Sequence, residues 1–179
     1  GAAIKGFLQL AKKYSFMLNE NNELNTESLE NFIKKNPNKP FIIFGFTSFI
    51  WNFFIKKIQD KYLNIDAKNG ILIHGGGWKK MQDKSITKKI LYKSITKNLN
   101  LKNIHDYYGM VEQTGSIFLE CEKNFFHSSI FSDVIIRNES LEIAKKNSVG
   151  LMQVLSLLPL SYPGHNLLTE DLGILKGED

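Results

Sequence analysis

Gly70-Ile71-Leu72-Ile73-His74-Gly75-Gly76-Gly77 is the stretch whose reading decides the fold. Its apolar run has no polar alternation, which suits a strand buried on both faces, as in a parallel sheet. Phe41-Ile42-Ile43-Phe44-Gly45 has the same character, and Ile104 to Tyr108 reads as a third strand. Helical patterns lie between them. Thr47 or Ser48 is expected to cap a helix to about Tyr62, with Phe49, Ile50, Phe53, Phe54 and Ile58 inward. Ser85 to Leu99 is expected to be amphipathic, carrying Ile86, Ile90, Leu91 and Ile95. Strand-helix alternation implies right-handed crossovers and a mostly parallel β-α-β core.

Upstream, Ala2 to Tyr14 reads as a helix with Ile4, Phe7, Leu8, Leu10 and Ala11 on one stripe. Asn25 or Thr26 caps a second helix to about Lys35, and Asn36-Pro37-Asn38-Lys39-Pro40 stops it. Downstream of Tyr108 the character changes. Gly115 to Glu120, Ser132 to Arg137 and Leu151 to Leu158 read as strands with short links, a mixed or antiparallel extension. The expected organisation is one α/β domain over residues 1–179, with a core over 1–110 and a β-rich extension over 111–179.

Composition narrows the class. Apolar residues make up 42% and charged residues 23% of 179 residues, an ordinary globular balance. The net charge of +5 comes from scattered pairs such as Lys12-Lys13, Lys56-Lys57 and Lys145-Lys146, with Arg137 the single arginine. A nucleic-acid binder gathers such charge on one face and uses Arg at base edges, so none is expected as partner. No apolar run approaches the about 20 residues of a membrane span. The single cysteine, Cys121, permits no internal disulfide and points to a reducing, cytoplasmic setting. Cys121 lies between Glu120 and Glu122, whose charges are expected to raise its pKa, so a structural role is assigned to it. The beginning at Gly1-Ala2-Ala3-Ile4 has no signal-peptide pattern and suggests a piece of a larger product.

Three segments carry chemistry. His74-Gly75-Gly76-Gly77-Trp78-Lys79-Lys80 follows a buried strand, where open α/β sheets collect ligands. Glycines there let backbone approach a ligand closely, though they equally suit a plain strand-to-helix turn. Asp106-Tyr107-Tyr108-Gly109-Met110-Val111-Glu112-Gln113-Thr114-Gly115 also ends a strand. It supplies a ring that can stack on a base and a carboxylate that can hold Mg²⁺ near phosphates. Ser161 to Gly173 contains Asp171, which can accept from vicinal ribose hydroxyls, or sit solvated on a surface turn.

Together these segments resemble the LuxE-type acyl-protein synthetases, a branch of the adenylate-forming superfamily. The matching stretches are FGFTSFIW (Phe44 to Trp51), ILIHGGGWKK (Ile71 to Lys80), DYYGMVEQTGSIFLEC (Asp106 to Cys121) and LSYPGHNLLTEDLG (Leu160 to Gly173). The resemblance implies part of the large N-terminal domain of such an enzyme. It implies ATP-dependent activation of a carboxylic acid, in the bioluminescence branch a fatty acid, with Mg²⁺ as cofactor. The acyl group then passes to a thiol, on a protein cysteine or CoA. Gly75, Gly76 and Gly77 would wall the adenine pocket, Tyr108 would stack on adenine and Asp171 would hold the ribose. Glu112 would be the catalytic residue that helps bind Mg²⁺. His74, Gly109 and Met110 would border the acyl group. Val111 stands where the superfamily usually has Thr. The Ser/Thr/Gly-rich phosphate loop and the mobile lysine-bearing domain are not in this stretch. An acyl-CoA ligase or other acid-activating relative, and a non-catalytic nucleotide- or partner-binding remnant, are the alternative readings. A segment cut from a larger fold is expected to expose apolar surface around Phe44 to Trp51 and to self-associate.

Overall fold

The three expected strands become three parallel strands in the computed structural model, which describes residues 6, 8–9, 11–36, 38–63, 65–78 and 86–177. The chain divides into two compact units, the first Phe7–Tyr107 and the second containing Tyr108–Asp179.

In the first unit, β1 (Phe41–Phe46), β2 (Gly70–Gly75) and β3 (Asn103–Tyr108) lie side by side in the order β1-β2-β3. Phe46 pairs with Gly75, and Gly75 with Tyr107, so the carboxyl ends of the strands align. Helix α1 (Thr26–Lys35) starts where expected, with the Asn25 side chain accepting from the Ser28 N–H. Helix α3 (Lys88–Leu99) is capped by Thr87, whose hydroxyl accepts from the Ile90 N–H. It buries Leu91, Ile95 and Leu99, while Ile90, expected inward, is exposed. The expected start at Ser85, like Lys79 and Lys80, lies outside the described residues.

The helix after β1, α2, occupies residues 47–60 and is not uniform. Thr47–Phe49 and Lys56–Asp60 are α-helical, and Ile50–Ile55 between them is a π-helix. Thr47 or Ser48 was expected as its cap. Instead Phe46 precedes the helix, no side chain caps it, and the Thr47 hydroxyl bonds elsewhere. The π turn carries Ile50, Trp51, Phe54 and Ile55 into the core. The expected apolar surface around Phe44 to Trp51 is therefore largely absent: Phe49 is exposed, whereas Ile50 and Trp51 are buried. The core joins these residues to Leu29, Ile43, Ile58, Leu72, Leu91, Ile95, Leu99 and Ile104.

The first predicted helix is corrected where it can be seen. Residues 6, 8 and 9 are helical, but the helix has ended by Ala11, whose N–H closes onto the Leu8 carbonyl, 3.1 Å. Beyond it Lys12 and Lys13 are exposed and have no apolar face to extend. Its other positions, including Ile4, Phe7 and Leu10, lie outside the described residues.

The second unit is antiparallel. A short 3₁₀ turn, Val111–Gln113, precedes a hairpin of β4 (Phe118–Glu120) and β5 (Phe126–His127). The expected strand from Gly115 begins only at Phe118, because Gly115 turns the chain at φ 97°. Strands β6 (Ser132–Arg137), β7 (Val149–Ser156) and β8 (Asn166–Ile174) form a separate sheet in that order. Strand β8 was not among the expected strands, since Glu170 and Asp171 mask its pattern. It is an outer strand and tolerates polar side chains on its solvated face. Val154 and Ile136 are buried in this unit.

Ile95 is fully buried in the first unit. Ile95→Ala is expected to destabilise that unit by about 2–5 kcal/mol, measured as a lower denaturant midpoint. An unchanged midpoint would contradict its central place.

Candidate functional site

The strand ends of the first unit converge on Gly75, Gly76 and Gly77. A Cβ on Gly75 would lie 2.5 Å from the Tyr107 ring and 2.6 Å from its carbonyl oxygen. No other residue fits that position without displacing β3. Gly76 and Gly77 adopt φ 72° and 61°, a region side chains disfavour. Among the described residues nothing lies within 4 Å of a Cβ built on Gly77. His74, expected at the acyl group, is instead 1% exposed. Its Nδ1 lies 2.9 Å from Thr47 Oγ1, and its Nε2 lies 3.2 Å from the Tyr92 hydroxyl. Asp106 Oδ1 is 3.6 Å from Nδ1, and Lys88 Nζ is 3.8 Å from Asp106 Oδ2. Tyr92 and Lys88 had no role in the sequence reading, and Thr47, within the FGFTSFIW stretch, was read only as a helix cap.

In the second unit Tyr108 and Asp171 meet. The Tyr108 hydroxyl donates to Asp171 Oδ2 at 2.7 Å across 63 residues of sequence. Sequence spacing gives no sign of that bond. Its geometry follows from the strand register. Leu151 pairs with Leu172 and Gln153 with Leu168, so Thr169, Glu170 and Asp171 together face Met152. Such a bulge re-aims side chains. The Thr169 hydroxyl donates to the Met152 carbonyl at 2.9 Å and accepts from the Asp171 N–H at 3.2 Å. Met110, Glu112, Leu167, Leu168, Thr169 and Asp171 line a cavity of about 230 Å³. Two carboxylates and an apolar floor thus face one space. Gly109 is exposed just before it, and the Tyr108 ring meets Phe118 edge to face at 6.0 Å.

Gln113 was missed as a support. Fully buried, its amide nitrogen donates to the carbonyls of Gly164 at 2.9 Å and Val154 at 3.2 Å. The Thr114 N–H donates to the Tyr162 hydroxyl at 3.0 Å. These bonds fix the 3₁₀ turn that presents Glu112. A second depression, about 480 Å³, lies between the C-terminal ends of α2 and α3 and is lined by Gln59, Tyr62, Leu63, Lys97 and Asn98. It is the larger, but it has no carboxylate and sits away from the strand ends.

A sequence profile described as Acyl-protein synthetase, LuxE matches residues 2–179. The chain belongs to the LuxE acyl-protein synthetase family. No curated protein sequence matches it. Among solved structures, it is similar to a luciferase-like enzyme from the nonluminescent Zophobas morio mealworm, with 16% identity, TM-score 0.58, and coverage of 86% of this chain and 39% of that one. McyG A-PCP complexed with phenylalanyl-adenylate gives 14% identity and TM-score 0.57 over 85% of this chain and 31% of that one. A long-chain-fatty-acid–CoA ligase from Archaeoglobus fulgidus gives 12% and 0.52, covering 74% and 27%. The likeness to these structures is one of fold. This LuxE-family chain spans about a third of the lengths of the structures it matches. Among the described residues no helix is long and apolar enough to cross a membrane.

Cys121 departs from expectation. Its thiol pKa is lowered, first by the Phe125 backbone and then by His127 and the Lys123 backbone. The tight turn explains this. Asn124 at φ 62° closes residues 122–124 between Cys121 and Phe125, so the turn presents backbone polar groups to the sulfur. The neighbouring glutamates do not dominate as charge alone suggests.

Burial pushes the Tyr108 hydroxyl well above the usual tyrosine value, and the bond to Asp171 pushes it further. The folded state therefore keeps this proton when the unfolded chain has lost it. Stability from the group is present below about pH 10 and is lost as pH rises beyond. Tyr108→Phe is expected to flatten the alkaline fall in stability, measured by denaturation at increasing pH. An unchanged alkaline slope would contradict the bond.

Proposed function

We propose that this chain supplies nucleotide-holding parts of a ligase that activates a carboxylic acid with ATP. The acid is a fatty acid and the acyl group passes on to a protein thiol. The observation that carries the reading is the Tyr108–Asp171 hydrogen bond beside a cavity that also receives Glu112. With Oδ2 engaged by Tyr108, Asp171 keeps Oδ1 for the vicinal hydroxyls of a ribose. The Tyr108 ring, half-buried and braced by Phe118, is a candidate surface for adenine. In the first unit the exposed Gly76 and Gly77, both in the left-handed backbone region that favours glycine, support the assignment of Gly75–Gly77 to the adenine wall. Gly109 and Met110, at the end of β3, are assigned to the approach of the acyl carboxylate.

In the proposed reaction an oxygen of the acid's carboxylate attacks the α-phosphorus of ATP. A P–O bond forms, the bond to the β-phosphate oxygen breaks, and pyrophosphate leaves. The acyl-adenylate is then attacked by a thiolate sulfur at the acyl carbon, and AMP departs with the electron pair. Glu112 fits Mg²⁺, which commonly takes one or two carboxylates plus phosphate oxygens rather than a full protein cage. Glu112 is exposed and lines the cavity beside Asp171. When bound, Mg²⁺ would neutralise phosphate charge. The chain's own contribution is positioning: Gln113 holds the turn bearing Glu112, and Thr169 and Tyr108 hold Asp171. The cytoplasm, with its ATP and reduced thiols, is the compartment this reading requires. An acyl-CoA ligase remains the second reading; CoA in place of a protein thiol as acceptor separates the two.

Asp171→Asn is expected to weaken ATP and AMP binding roughly tenfold, measured by calorimetry, with Tyr108→Phe weakening it less. Glu112→Gln is expected to reduce the Mg²⁺ dependence of ATP binding. Fatty-acid-dependent ATP–pyrophosphate exchange, measured on this chain and on a family-length form, tests the chemistry. Unaltered binding in Asp171→Asn, or no exchange in the longer form with any acid, overturns the proposal.

A further inference from the structure

The buried polar group of the first unit joins strand ends that need not have been polar. Thr47 and His74 are 4% and 1% exposed, deep enough for apolar side chains to serve packing equally well. Their hydrogen bonds run in a definite direction. Thr47 Oγ1 donates to the Gly75 carbonyl at 3.1 Å, which uses its one hydrogen. The 2.9 Å contact with His74 Nδ1 must then be a bond from Nδ1–H to Oγ1. A neutral ring protonated at Nδ1 has its lone pair at Nε2, where the Tyr92 hydroxyl lies at 3.2 Å and can donate. Asp106 Oδ1, 3.6 Å from Nδ1, also favours the proton on that nitrogen. Lys88 lies 5.4 Å over the Tyr92 ring and holds Asp106 from its far side. The chain thus runs Tyr92 to His74 to Thr47 to the carbonyl of Gly75. Gly75 is the residue at which β2 ends and the exposed backbone of Gly76 and Gly77 begins.

We propose that His74 is a positioning residue: through Thr47 it fixes the Gly75 carbonyl and so sets the Gly75–Gly77 backbone for contact with a nucleobase. The ring itself does not touch ligand. This role rests on the reading of Gly75–Gly77 as a nucleotide contact, but the positioning can be observed without nucleotide. Thr47 is given to this chain rather than to capping α2, and that accounts for a helix start with no side-chain cap.

The test pairs two substitutions that keep different halves of the ring. In His74→Asn the amide nitrogen can take the place of Nδ1 and still donate to Thr47. In His74→Gln the polar end reaches towards Tyr92 and the bond to Thr47 is lost. Thr47→Val keeps the shape and removes the hydroxyl, so it serves if a His74 variant fails to fold. Ring-nitrogen NMR of the wild-type chain is expected to show the Nδ1–H form; the Nε2–H form or a charged ring at neutral pH overturns the proposal. His74→Gln and Thr47→Val are each expected to shift the Gly75–Gly77 amide resonances and weaken ATP binding roughly fivefold. The double variant is expected to be no weaker than either, and His74→Asn to stay within about twofold of wild type. Wild-type affinity in both His74→Gln and Thr47→Val, or loss in His74→Asn equal to that in His74→Gln, overturns it. A wild-type chain that binds no nucleotide defeats the nucleotide reading instead. The amide shifts then decide the positioning alone: displaced resonances support it and unmoved ones overturn it.

Discussion

Parallel pairing of β1, β2 and β3 brings their carboxyl ends to one edge, and the chemistry of the first unit depends on that alignment. Strands β1 and β2 are nearly continuous apolar runs, as strands buried on both faces are, whereas β3 carries Asn103, His105 and Asp106 among its apolar residues. At the edge the runs stop, and polar or glycine residues appear together: Thr47 after β1, His74 and Gly75 ending β2, Asp106 near the end of β3. The register leaves no room for a Cβ at Gly75 against Tyr107. Close packing thereby fixes where the glycine loop begins, and the Thr47–His74 chain fixes its first carbonyl.

The second unit uses another device for the same end. An antiparallel sheet alternates its side chains strictly, which would not by itself bring Asp171 to Tyr108. The irregular register between Leu151 and Gln153 breaks the alternation and re-aims β8. Thr169 then anchors the bulge, while Gln113 anchors the turn that carries Glu112. The Asp171 carboxylate is held by Tyr108, and the backbone turn that carries Glu112 is held by buried Gln113, so both are presented before any ligand arrives. Such preorganisation is what positioning catalysis requires.

The legible parts were those governed by local pattern. Continuous apolar runs announced β1 and β2, the strand-helix alternation continued to β3, and Asn25 announced α1. The motif residues stood out because their types suit nucleotide chemistry and carry a family resemblance. What escaped was non-local. The Tyr108–Asp171 bond depends on a bulge in another strand. Strand β8 hid behind its acids, since an outer strand need not alternate hydrophobically. Thr47 looked like a cap because a hydroxyl before a helix usually is one, and only the β1–β2 register shows where its hydrogen goes. The lowered thiol of Cys121 depends on turn geometry that flanking charges do not report.

The most direct check of the central claim is an amide NMR titration of the chain with ATP. Binding at the Tyr108–Asp171 site shifts the resonances of Tyr108 to Glu112 and Thr169 to Asp171, and the Asp171→Asn variant loses those shifts at equal ligand concentration. Shifts confined to Gln59, Tyr62, Leu63, Lys97 and Asn98, or none in either segment, would contradict it.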